Sequence, residues 1–211
     1  MSDAARILEP IAEHFSESLA IYGATPPGVL WRNQEGQRLR FDQLVQIFDA
    51  DDRKGGVVVN ELGCGYGAMF DYLRDLPAFV GGRYWGYDIS PDMLAAARKR
   101  IRDPRAGFEK SHRVLHAADY TLISGTYNLL LDTDEKSWLE YIRDSLVDTW
   151  AMCRKGLGFN MLRPDRSKAP LNTLYYTDPQ PFLDFCQRRL SPNVTLVEGY
   201  PLAEWTMLIR R

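Results

Sequence analysis

Apolar positions in the first part of the chain recur at helical spacing. Ile7, Leu8, Ile11, Phe15, Leu19 and Ile21 predict a helix over residues 3–21, with Pro10 as a local irregularity. Gly23-Ala24-Thr25-Pro26-Pro27-Gly28 is a cluster of helix and strand breakers and predicts a loop. A second helix is expected from about Gln37 to Phe48, burying Leu39, Phe41, Leu44, Val45 and Ile47. The acidic stretch Asp49-Ala50-Asp51-Asp52 then predicts a solvated turn.

From Gly56 the period changes. Val57-Val58-Val59 with Leu62 is short, apolar and β-branched, the pattern of a strand buried on both faces of a parallel sheet. A glycine cluster follows, then a helix from about Gly67 to Leu76, then a strand over Arg83–Asp88. Ser90 and Pro91 are suited to the N-cap and first position of a helix that runs on through Met93, Leu94, Ala97 and Ile101. Short strands are expected near Phe108 and at Tyr120–Ser124. Glu135–Arg154 forms an amphipathic helix, with Trp138, Tyr141, Ile142, Leu146, Trp150 and Cys153 mostly on one face and Gly156 as its C-cap. A strand at Leu157–Leu162, a polar loop at Arg163–Asn172, a helix at Asp178–Leu190 and strands at Val194–Gly199 and Trp205–Arg210 complete the chain.

Strands alternating with helices predict an α/β, doubly wound, mostly parallel sheet, and the last two strands should pair antiparallel at one edge. The 211 residues suit a single domain, with 1–50 as N-terminal helices and 51–211 as the sheet. The 26 basic against 28 acidic residues argue against a general binder of nucleic acid or anionic membrane. Residues 1–6 lead into a polar pattern rather than an apolar signal core. The odd, scattered Cys64, Cys153 and Cys186 read as reduced thiols of a cytoplasmic protein.

The strongest chemical signal is Glu61-Leu62-Gly63-Cys64-Gly65-Tyr66-Gly67, between a strand and a helix. Glycines there let the backbone turn tightly and bring main-chain N–H groups against a ligand. Asp88 ends the next strand, where a carboxylate can accept hydrogen bonds from both hydroxyls of a ribose. The turn reads in two ways. Gly63, Gly65 and Ala68 fit a dinucleotide fingerprint. Glu61, Gly63, Gly65 and Gly67 fit a turn whose leading acid holds the ammonium of a methionine moiety. The second reading also accounts for Glu61, which would repel a pyrophosphate.

On these residues, and on Gly86-Tyr87-Asp88-Ile89-Ser90-Pro91-Asp92-Met93-Leu94, the chain from about Gly56 onward resembles the class I S-adenosylmethionine-dependent methyltransferases. The resemblance implies a seven-stranded sheet of order 3-2-1-4-5-7-6 with strand 7 antiparallel. It implies S-adenosyl-L-methionine as cofactor, with Glu61, Gly63 and Gly65 at its methionine end, Asp88 on the ribose, Ile89 on the adenine, and Gly67 and Met93 also at the cofactor. For the adenine edge Ser111 and His112 are the candidates, since Phe108-Glu109-Lys110-Ser111-His112 lacks the family's Gly-Asp; Asp119 suits the start of the fourth strand better. The family also suggests Arg40 for the methionine carboxylate.

Ser124-Gly125-Thr126-Tyr127-Asn128 follows the fourth strand at the ligand edge of the sheet. Ser124 is therefore expected at the cofactor, and Tyr127 and Asn128 near the transferred methyl. Tyr22 and Trp31, which bracket the Pro-Gly loop, and Tyr175 and Tyr176 are candidates for binding a small-molecule acceptor. Residues up to Leu30 would form a lid. No metal is expected: His112 and His116 are four apart but have no third ligand at a useful spacing. The expectation is a methyltransferase acting on a small molecule. Its rivals are an NAD-dependent oxidoreductase and a non-catalytic nucleoside-binding protein of the same fold.

Overall fold

The computed structural model describes residues 3–164 and 171–211. The polar loop expected at Arg163–Asn172 falls mostly on 165–170, outside the described residues. Six α-helices are described: α1 Asp3–Tyr22, α2 Gln34–Leu44, α3 Ala68–Leu73, α4 Pro91–Arg100, α5 Glu135–Ala151 and α6 Gln180–Arg189. The strands are β1 Val58–Leu62, β2 Arg83–Asp88, β3 Ala106–Lys110, β4 Ala118–Ile123, β5 Cys153–Leu162, β6 Val194–Val197 and β7 Glu204–Arg210. They form one sheet in the order β3-β2-β1-β4-β5-β7-β6. β7 runs antiparallel to both β5 and β6, and the other pairs are parallel. This is the order the resemblance implies.

Successive strand residues enter opposite cores, as the two-residue period of a strand requires. Met207 and Ile209 join Leu8, Ile11, Ile142, Leu146, Phe159 and Trp205 on the face of α1, α5 and α6. Leu208 joins Phe41, Leu44, Phe70, Tyr84, Leu94 and Tyr120 on the face of α2, α3 and α4. With helices on both faces, all parallel strands end at one crevice.

Three local expectations are corrected. α2 begins at Gln34 because Asn33 caps it, its side chain accepting the Gly36 N–H at 2.8 Å. α5 stops at Ala151 and the chain enters β5 at Cys153, so Gly156 is a strand residue rather than a C-cap. A Cβ there would come within 2.8 Å of the Ile209 carbonyl and of Ile47, which explains the glycine by close packing. Asp52 is not solvated: it is 3% exposed, beside Lys155, and accepts the Tyr120 hydroxyl at 2.6 Å. Elsewhere α4 starts as read, with Ser90 accepting the Met93 N–H at 3.1 Å and Pro91 in the first turn.

Candidate active site

The carboxyl ends of β1, β2 and β4 open into a narrow cleft with a cavity volume of about 90 Å³. Its floor is the turn Glu61–Tyr66, one wall is Asp88, Ile89, Met93, Ser111 and His112, and another is Ser124–Thr126. The N-terminal segment covers it through Leu8, Ile11, Phe15, Val29 and Trp31. Leu8 and Ile11 are also core residues, so the stripe on α1 serves packing and cover together.

The turn holds its shape by contacts that only glycine permits. Gly63 has φ +75° and Gly65 φ +51°. A Cβ on Gly63 would overlap Thr126, whose hydroxyl donates to the Leu62 carbonyl at 2.8 Å. A Cβ on Gly65 would lie 2.9 Å from Val29 of the cover. Gly67, φ +81°, is different: it does not line the cleft, and a Cβ there would meet Ile101 and Phe108. It is a packing glycine at the start of α3.

Two carboxylates line the cleft with no cation paired to either among the described residues. Asp88, 8% exposed, accepts the Gly65 N–H at 2.7 Å and the Ser90 N–H at 2.9 Å. Burial raises its pKa, although these amides oppose the rise. Glu61, 3% exposed, accepts the Tyr84 hydroxyl. Burial, with a contribution from Asp88, lifts it well above the ordinary carboxylate range. A carboxylate has about four acceptor positions, so both retain capacity for a ligand. Burial also holds Cys64 as a thiol, pushed up further by Asp88 and Glu61. His112 is shifted down by burial and by Arg113. The Ser124 hydroxyl oxygen is buried with no partner among the described residues.

Several expected residues lie elsewhere. Arg40 donates to both oxygens of buried Glu204, gives Nη1 to the Gly36 carbonyl at 2.8 Å, and stacks 3.6 Å from the Trp31 ring centroid. Its charge is spent inside the protein and it does not line the cleft. Tyr127 is fully buried, its hydroxyl 2.8 Å from the Ser145 hydroxyl, and its carbonyl accepts the Trp138 indole N–H. Asn128 turns away and accepts the Leu162 N–H at 3.2 Å. Neither lines the cleft, although the Asn128 Nδ2 is buried without a partner among the described residues, beside Gly125. Tyr22 is exposed at the end of α1, Tyr175 is buried, and Tyr176 pairs with the end of β5 through Leu162. Of the four aromatic candidates only Trp31 lines the cleft, packed over Gly125. His116 faces Glu109 at 2.7 Å and stacks on Trp85, away from His112.

Sequence reasoning missed Gln37, Tyr66, Phe15, Thr126 and Tyr141, all of which line the cleft. Tyr66 lies inside the glycine turn and could have been weighed there. Thr126 lies in the segment after β4 already placed at the ligand edge, whereas Gln37, Phe15 and Tyr141 are brought in by tertiary packing and carry no local signal.

The residues present suit a nucleoside–amino acid ligand. Asp88 is placed at the end of β2 with acceptor capacity to spare, Glu61 is a buried acid open to a cation, and the buried Ser124 hydroxyl lacks a partner. A pyrophosphate on this turn would instead meet two buried carboxylates. The comparisons agree. Residues 60–156 match a family model described as a methyltransferase domain. A Mycobacterium tuberculosis (strain ATCC 25618 / H37Rv) protein named "Putative methyltransferase Rv1506c" is 40% identical over 156 residues, 72% of this chain and 92% of that one. Magnesium protoporphyrin IX methyltransferase (ChlM) from Synechocystis PCC 6803 with bound SAH shares the fold at TM-score 0.64 and 12% identity, over 84% of each chain. The N-methyltransferase NodS from Bradyrhizobium japonicum WM9 does so at TM-score 0.58 and 16% identity, over 84% of this chain and 97% of its own. From the sheet order, the glycine turn with its two acids and these relatives, the chain belongs to the class I S-adenosylmethionine-dependent methyltransferases, with S-adenosyl-L-methionine as its cofactor.

Proposed function

We propose that this methyltransferase acts on a small-molecule acceptor, bound under the N-terminal segment. The observation that carries the reading is the cover itself. Val29 lies against the glycine turn and Trp31 against Gly125, so the cleft is roofed by the protein's own chain on both sides of the methionine end. A macromolecular target would need that roof removed.

In this reading Asp88 accepts the ribose hydroxyls, Glu61 faces the ammonium, Ile89 and Met93 pack on the adenine, and Ser111 and His112 border its edge. Bound there, S-adenosylmethionine supplies an activated methyl group on a good leaving group. The protein's share is alignment and exclusion of water. Phe15, and Trp31 packed on Ser124–Thr126, line the acceptor side in this reading, and none of these side chains is an acid or a base. The acceptor must therefore arrive with its lone pair available, and the rate should rise with pH through the acceptor's own pKa.

The test supplies methyl-labelled S-adenosylmethionine to the protein with a metabolite extract, total protein and total RNA in parallel. Label entering only low-mass metabolites is the expected result. Label entering protein or RNA would overturn the small-molecule assignment.

A further inference from the structure

The cofactor's amino-acid end carries a carboxylate as well as an ammonium, and nothing so far receives it. Arg40 is committed to Glu204 and Trp31. No Lys or Arg among the described residues lines the cleft. The one imidazole, His112, lies at the nucleoside end: it follows Ser111, whose N–H donates to the Asp88 carbonyl at 3.0 Å. A carboxylate at the glycine turn must therefore be met by neutral donors.

Gln37 has the required properties. It lies in the first turn of α2, lines the cleft and is 6% exposed. Its Oε1 accepts the hydroxyl of Tyr66 at 3.0 Å, and Tyr66 is itself part of the glycine turn. In this arrangement the phenol is the donor and the amide oxygen is engaged. The Nε2 group has no protein partner among the described residues. An amide group engaged by a phenol at its oxygen and left with two unused N–H donors is a preset acceptor of negative charge.

We propose that Gln37, paired with Tyr66, binds the methionine carboxylate of the cofactor, the task the resemblance suggested for Arg40. This rests on the placement of the cofactor given above. A neutral donor also explains how Glu61 can face the ammonium without an arginine nearby to compete for it.

Titration calorimetry with two ligands tests the assignment. S-adenosylhomocysteine carries the amino-acid end; 5′-methylthioadenosine has the same nucleoside and sulfur but neither carboxylate nor ammonium. Gln37→Leu should weaken S-adenosylhomocysteine about tenfold and leave 5′-methylthioadenosine within twofold. Gln37→Glu keeps an acceptor for Tyr66 but sets charge against charge, and should weaken S-adenosylhomocysteine further while again sparing 5′-methylthioadenosine. Circular dichroism melting confirms that each variant is folded, and if Gln37→Leu does not fold, Gln37→Glu carries the test alone. Equal losses on both ligands, or wild-type affinity of Gln37→Glu for S-adenosylhomocysteine, would overturn the role of Gln37. Asp88→Ala should weaken both ligands, since both carry the ribose. If it weakens neither, the cofactor placement itself is wrong and the proposal falls with it.

Discussion

At the amino ends of the central strands, Asp52 is buried against Lys155 and accepts the Tyr120 hydroxyl and the Asp49 N–H. At their carboxyl ends, Glu61 and Asp88 are buried too, yet neither makes an ion pair among the described residues. The pKa directions diverge accordingly. Burial raises Asp52, but hydrogen bonds from Lys155, Tyr120 and Asp49 outweigh it, and its pKa falls below the ordinary value. Burial wins at Glu61 and Asp88, and both rise. Glu204 is an intermediate case: burial raises it while Arg40 pulls it down. A buried acid with its own cation serves the fold. A buried acid without one costs stability and is kept where a ligand completes it.

The largest effect should come from breaking the most buried pair. Arg40→Ala leaves Glu204, whose side chain is 1% exposed, without its cation, and should cost about 3–5 kcal/mol in urea unfolding. Arg40→Met combined with Glu204→Gln removes both charges and should recover more than half of that loss. A double variant as unstable as the single would mean that the loss is packing against Trp31 rather than charge.

Next in size, Asp88→Ala should weaken S-adenosylhomocysteine by about 1.5–3 kcal/mol, roughly ten- to a hundredfold, by calorimetry on folded protein. An unchanged dissociation constant would remove Asp88 from the ribose site.

Lys155→Met should cost less, about 1–2 kcal/mol, because the lysine side chain is 42% exposed and solvent screens the pair. Since the Asp52 pKa is depressed on folding, the pair's stabilisation is complete above the ordinary carboxylate pKa and fades as acid protonates Asp52. The gap in melting temperature between wild type and Lys155→Met should therefore close below about pH 4. A gap that persists in acid would show that the lysine acts through packing.

The same division separates what was legible in the sequence from what was not. The glycine turn, Asp88 and the capped start of α4 are local: their geometry depends on neighbours within a few residues, so residue type alone reports them. Arg40 misled because its partner, Glu204, lies 164 residues away. Asp52 misled because Lys155 is 103 residues away, and an acidic run carries no mark of a distant lysine. Tyr127 and Asn128 follow β4 as expected, but the chain after the Ser124–Thr126 wall turns inward, with Leu129 paired to Leu174 and the side chains committed to α5 and β5. Gln37 was invisible because a glutamine on a polar helix face means nothing until Tyr66 is seen beside it.

The most direct measurement pairs stability and affinity in a single variant, Glu61→Gln at neutral pH. Glutamine retains an oxygen for the Tyr84 hydroxyl and removes only the charge. Because folding raises the Glu61 pKa, its burial is most favourable in acid and becomes costly as pH rises through the folded value. If Glu61 is an unpaired acid kept for the cofactor, Glu61→Gln should melt at a higher temperature than wild type at pH 7, with the gain disappearing in acid, and should bind S-adenosylhomocysteine more weakly. A variant that melts lower than wild type, or binds S-adenosylhomocysteine equally well, would contradict the account.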